Sequence, residues 1–184
     1  AVRRPVPRAG SLAVEATVPG EQPTSSLPEI IDGSLDVASG ERVRVSHSVV
    51  IGRGGRLTIA AGATLSFGAG SALYVAGGSL RANGTSDRPV RFTAAAPQPV
   101  AGDWGGIWFK SWTEGTAVDE SVLEHVVVEY GGRALGPLAE RDNYADADGG
   151  IFVGISYGRP HPNRPITLRH VLLRDNANRG LDAP

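Results

Sequence analysis

The feature that most limits what this chain can fold into is the recurrence of short apolar triplets, each the length of a short strand and each followed by a turn. From about residue 34 onward they run VRV at 43–45, VVI at 49–51, LTI at 57–59, LSF at 65–67 and LYV at 73–75. The series continues as SLRA at 79–82, VRF at 90–92, IWF at 107–109, LEHVVVEY at 123–130, IFV at 151–153 and ITLRHVLLRD at 166–175. Steps of about eight residues leave room for a strand and a tight corner, and no window sustains the period of a helix.

A longer repeat lies over this one. LEHVVVEYGG at 123–132 aligns with LRHVLLRDNA at 168–177, matching Leu123 with Leu168, His125 with His170, Val126 with Val171 and Val128 with Leu173, an offset of 45 residues. GGIWF at 105–109 aligns with GGIFV at 149–153, and RGLDA at 179–183 reads as a third start. A coil of roughly 20–30 residues plus inserted loops accounts for these offsets, with insertions at 133–148 and 154–164. Alternation then points Val126 and Val128 inward and Val127 and Glu129 outward, and it leaves Glu124 either inward or at a bend near the strand start. Asn176, in RDNANRG, has the composition of a corner residue bonding to neighbouring coils.

Composition agrees with thin stacked layers. The chain of 184 residues is long enough for one domain with a core; it is 41% hydrophobic but only 6% aromatic and has no Met, so Val, Ile, Leu and Ala must fill the interior. Its 25 Gly and 13 Pro favour frequent turns. Residues 1–29 hold five Pro and no clear period, and read as an extended arm preceding a solenoid domain at 30–184. That arm packs either along its own solenoid or on a neighbouring molecule.

The net charge of −1 lacks the broad positive field that nucleic-acid binding needs. Seventeen of the 18 basic residues are Arg, with Lys110 the exception, a bias expected of a GC-rich genome. The absence of Cys excludes a disulfide framework and a thiolate metal site, and no apolar run of 18 residues could span a membrane. The chain opens on Ala1, which fits removal of a signal peptide and fits a trimmed terminus equally.

GGRLTIAAGATLSFGAGSALYVAGGSLRANGTSDRPVRFTA, followed by GDWGGIWF, SVLEHVVVEYGG and ITLRHVLLRDNANRGLDA, resembles the bacterial exported right-handed parallel β-helix repeat proteins, the pectate-lyase-like solenoids. The resemblance covers about residues 43–183. It implies an all-β, right-handed parallel β-helix of triangular section, and a secreted or cell-surface location. Family members include adhesins, polysaccharide-active enzymes and proteins of no known activity. A new coil begins just before Pro184, and an uncovered coil would offer strand edges and an apolar cross-section for association. The expectation is a non-enzymatic structural or interaction protein that forms homo-oligomers or polymers end to end, its arm or first coil covering the next subunit's last coil. The alternative is a polysaccharide-binding or polysaccharide-cleaving module.

Candidate chemistry is sparse. Trp104, Trp108, Trp112 and Tyr130 are flat surfaces of the kind that stack on sugar rings, although covering a corner of the solenoid is the commoner use of residues placed like Trp104 and Trp108. The acidic stretch ERDNYADAD at 140–148 places Asp142, Asp146 and Asp148 where calcium, as a cofactor, could bind; the spacing departs from a D-x-D-x-D-G loop, and a solvated acidic loop explains the same residues. Glu129 and Arg174 align under the 45-residue repeat and are placed for a cross-coil ion pair. His125 and His170 form an aligned row, more often a ladder than a metal site. Asp103 reads as a corner residue, and Asn83-Gly84-Thr85 as a tight turn that also satisfies a glycosylation sequon. No catalytic residue is assigned.

Overall fold

The computed structural model describes residues 25–110, 120–132, 149–153, 166–177 and 179–182. Every regular element among them is a β-strand, and no helix there is long and apolar enough to cross a membrane. The first coil holds β1 (Ile30–Ile31), β2 (Ser34–Val37) and β3 (Arg42–Val45), and the second β4 (Val49–Ile51), β5 (Arg56–Ala60) and β6 (Thr64–Phe67). The third holds β7 (Leu73–Ala76), β8 (Ser79–Asn83) and β9 (Val90–Ala94). Then come β10 (Ile107–Lys110) with β11 (Ser121–Glu129), β12 (Gly149–Val153) with β13 (Ile166–Arg174), and finally β14 (Arg179–Asp182).

Each strand pairs in parallel with its counterpart one coil away, which makes the molecule a parallel β-helix. β1, β4, β7, β10, β12 and β14 form one sheet in that order; the other strands form the second, in which β11 joins the β2-β5-β8 stack to the β3-β6-β9 stack. Leu123, Val126 and Val128 pair with Leu168, Val171 and Leu173, the register that the internal repeat predicts, and Ile107 pairs with Ile151.

The pairing follows from the pattern of side chains. Alternate residues enter the interior, so equivalent positions build columns such as Val49, Leu73, Ile107 and Ile151, or Val43, Leu65, Phe92 and Val128, all buried. One coil alone could not shield its inward row; the neighbours at about 4.8 Å do so. Trp104 fills the interior beside Phe67, ring centroids 4.2 Å apart at an interplanar angle of 12°. At the corners the backbones come close enough to demand glycine. A Cβ on Gly78 would stand 2.4 Å from the Gly55 carbonyl oxygen, and one on Gly55 would stand 2.1 Å from that of Ile31.

Residues 25–29, the last of the predicted arm, lie on the first coil of their own chain. Ser25 forms a parallel bridge with Val43 and accepts from the Arg44 amide at 2.9 Å, while Leu27 joins the core at 5% exposure. The Ser25 hydroxyl donates to the Glu41 carboxylate, which also accepts from the Ala38 amide; both bonds hold Glu41 below the usual carboxylate range. Residues 1–24 are outside the described residues, as are the predicted insertions at 133–148 and 154–164.

Candidate functional site

Chemistry-bearing side chains gather where β9, β11 and β13 run side by side. The cause is a change in how the chain turns. In the third coil, residues 84–89 connect β8 to β9; in the fourth, a single residue, His125, does the same work inside β11. Val122–Glu124 pair with β8 and Val126–Val128 with β9, and His125 between them takes a φ of 48°. His170 repeats the corner in β13 at φ 52°. Tyr130 and Asp175, at 61° and 53°, form a second matched pair of left-handed residues just after these strands. Left-handed backbone disfavours side-chain-bearing residues by roughly 1–2 kcal/mol, so four such residues in two coils mark a locally demanding geometry.

The corner corrects the expected alternation. His125 shifts the phase by one residue, so Leu123 and Val126 both face inward and Glu124 lies partly exposed at the bend. Val127 and Glu129 keep their outward positions but are 8% and 4% exposed rather than open to water. Glu129 is covered by two guanidinium groups, Arg91 from the coil below and Arg174 from the coil above. Arg91 donates to its Oε1 at 2.8 Å, and Arg174 donates to Oε2 through Nε at 2.8 Å and through a terminal nitrogen at 2.6 Å. The expected Glu129–Arg174 pair is therefore present, with Arg91 as an unforeseen second partner. Burial alone would raise the Glu129 carboxyl, but the hydrogen bonds from Arg91 and Arg174 and the Arg91 charge outweigh it and hold the carboxyl below its ordinary range.

Around this clamp the coils are tied further. Asn176 is the predicted corner residue: its Oδ1 accepts from the Gly131 amide at 2.8 Å and its Nδ2 donates to the Val128 carbonyl at 3.0 Å. The His125 and His170 rings stack with centroids 4.4 Å apart at 10°. Among the described residues no group of three or more His, Cys, Asp or Glu side chains is placed to hold a metal ion. Asp103 behaves as a corner residue, its Oδ2 accepting from the Val100 amide at 2.8 Å.

Two of the predicted sugar-stacking rings cannot present a face. Trp104 is 0% exposed inside the coil, its Nε1 donating to the Glu129 carbonyl at 2.9 Å. Trp108 is 1% exposed and sits in a column with Tyr74 and Phe152 on the outward side of the first sheet, its Nε1 donating to the Gly105 carbonyl. These rings lie 5.9 Å and 4.7 Å from Trp108 and form, with Ala72, a second apolar cluster separate from the main core; burial there pushes the Tyr74 phenol up. Tyr130 is partly buried against the main core. The fourth ring, Trp112, and the acidic triad Asp142, Asp146 and Asp148 are outside the described residues. The structure thus brings together Arg91, Glu129, Arg174 and Asn176, and it separates the aromatic residues that sequence grouped.

With three stacked strands per coil and this register established, comparison with known families is informative. The family model for a pectate-lyase-like β-helix domain matches residues 29–143, more than half of the chain. The chain belongs to that family. No curated protein and no solved structure gives a significant match. As a pectate-lyase-like β-helix domain, it devotes its buried strand-borne acid Glu129 to joining three successive coils.

Proposed function

We propose that this pectate-lyase-like β-helix is a non-enzymatic structural and interaction protein, exported to the surface of a bacterial cell or beyond, that associates end to end with further copies of itself. The observation that carries the reading is a contrast between two paired strands. Leu123, Val126 and Val128 of β11 are 0%, 1% and 0% exposed, whereas their partners Leu168, Val171 and Leu173 on β13 are only partly buried. Leu172 and Leu181 are 51% and 44% exposed beside them. Among the described residues β13 pairs with β11 alone, and the apolar side chains along it stay partly open, a surface on which a further strand layer can stack.

The chemistry of the clamp supports a structural role as well. Glu129, the buried strand-borne acid, already satisfies both carboxylate oxygens with arginine donors and is poorly available for proton transfer. Export and a bacterial source both rest on the resemblance.

Light scattering and electron microscopy of the full chain over a concentration series test the reading, with a version lacking residues 1–24 as comparison; Ser25 and Leu27 are kept because they belong to the first coil. Concentration-dependent linear assemblies are expected. A strictly monomeric full chain would overturn the reading.

A further inference from the structure

We propose that the stacked imidazoles of His125 and His170 make the junction between the fourth and fifth coils sensitive to mild acid: once both rings are charged they repel, and the pairing of β11 with β13 loosens. The tight corner is what brings them together. A single left-handed residue makes the turn in each of these coils, at φ 48° and 52°, and the residues on either side of it are paired in register. Each corner therefore carries one side chain, and the second stands over the first. The rings lie 4.4 Å apart at 10°. Neutral rings stack favourably in this arrangement, whereas two positive rings at the same separation repel. Histidine is the side chain whose charge changes between about pH 5 and about pH 8.

The surroundings do little to compensate a second charge. On the two strands themselves, Glu124 stands in register with Arg169, so the residues preceding the histidines bring one negative and one positive charge. On the coil below, the corner loop 84–89 brings the exposed Asp87 and Arg88, and the Arg88 guanidinium reaches along the ridge to the turns at Gly62 and Gly40. Among the described residues neither imidazole has a hydrogen-bond or ion-pair partner. His125 is half-buried and His170 exposed, so protons reach both.

Glu129 ties the same junction in a different pH window. Its carboxyl is held below the ordinary carboxylate range, so Arg91 and Arg174 stay bound to it where histidine becomes charged.

Hydrogen exchange of the full chain tests the proposal at a concentration where the protein is monomeric, read as protection factors so that the intrinsic pH dependence of exchange is removed. Between about pH 7.5 and about pH 5, amides bonded across β11 and β13 are expected to lose about tenfold in protection, while those between β5 and β8 keep theirs. Asn accepts left-handed backbone and carries no charge, so His125→Asn or His170→Asn alone is expected to hold the loss below about twofold, and the two together to do no more than either. Melting curves at neutral pH show that each variant is folded. A loss in either variant as large as the parent's would overturn the proposal. So would constant protection in the parent, which would mean that the charged rings swing apart without disturbing the strands.

Discussion

Glu129 shows how one side chain can hold three layers. Its carboxylate receives Arg91 from the third coil and Arg174 from the fifth, so it acts across two strand junctions rather than one. The side chain of Glu129 is 5% exposed while those of Arg91 and Arg174 are 35% and 48% exposed, which tempers the cost of removing it. Because the folded carboxyl titrates below its unfolded value, the stability it contributes is fully present above the unfolded value and is lost as pH falls through the folded one. Glu129→Gln is therefore expected to lower the melting temperature at neutral pH and to flatten its fall between neutrality and strong acid. A variant whose melting curve tracks the parent at every pH would show that the clamp is not a source of stability.

At the scale of the element, β11 is two strands joined by one left-handed residue. His125→Gly removes a side chain from a conformation that glycine adopts freely, but loses the stack with His170. His125→Val loses the same stack and forces a β-branched residue into that conformation. The valine variant should therefore be the less stable of the two by roughly 1–2 kcal/mol, measured by denaturant unfolding. This corner also explains what sequence could and could not convey. The pairing of Leu123 with Leu168 was legible because a column repeats its residue type from coil to coil. The phase shift at His125 was not, since histidine, though enriched in left-handed backbone, is found far more often outside it and does not mark the turn as Gly would. Trp108 could be read two ways for a different reason. Its place on an outward row follows from alternation, but its burial depends on what packs outside the barrel. Arg91 escaped notice because it lies in a coil whose corner loop breaks the 45-residue alignment.

For the whole molecule, stability is a sum over layers and the junctions between them. The layers are not equivalent. Interior columns through β4 to β11 are closed on both sides, while β13 leaves its inward side chains partly open. Hydrogen exchange should accordingly rank the strands, with amides of β5, β8 and β11 exchanging slowest and those of β13 and β14 opening at lower free energy under conditions where the protein is monomeric. Uniform protection of all strands would mean that the solenoid opens only as one cooperative unit. The same ranking, repeated at higher concentration, should show β13 gaining protection as copies stack.

The one-residue corner also has a consequence for how such a chain can diversify. From the fourth coil onward, the extra sequence enters between β10 and β11, between β11 and β12, and between β12 and β13, whereas the turn at His125 and His170 admits none. In those coils two edges of the prism are open to insertion and the third is closed, although the third coil carries residues 84–89 at that same edge. Lineages descended from this sequence can vary their decoration along two ridges while the tight turns at His125 and His170 keep the later coils aligned, and an engineer grafting new peptides onto those coils would choose the same two.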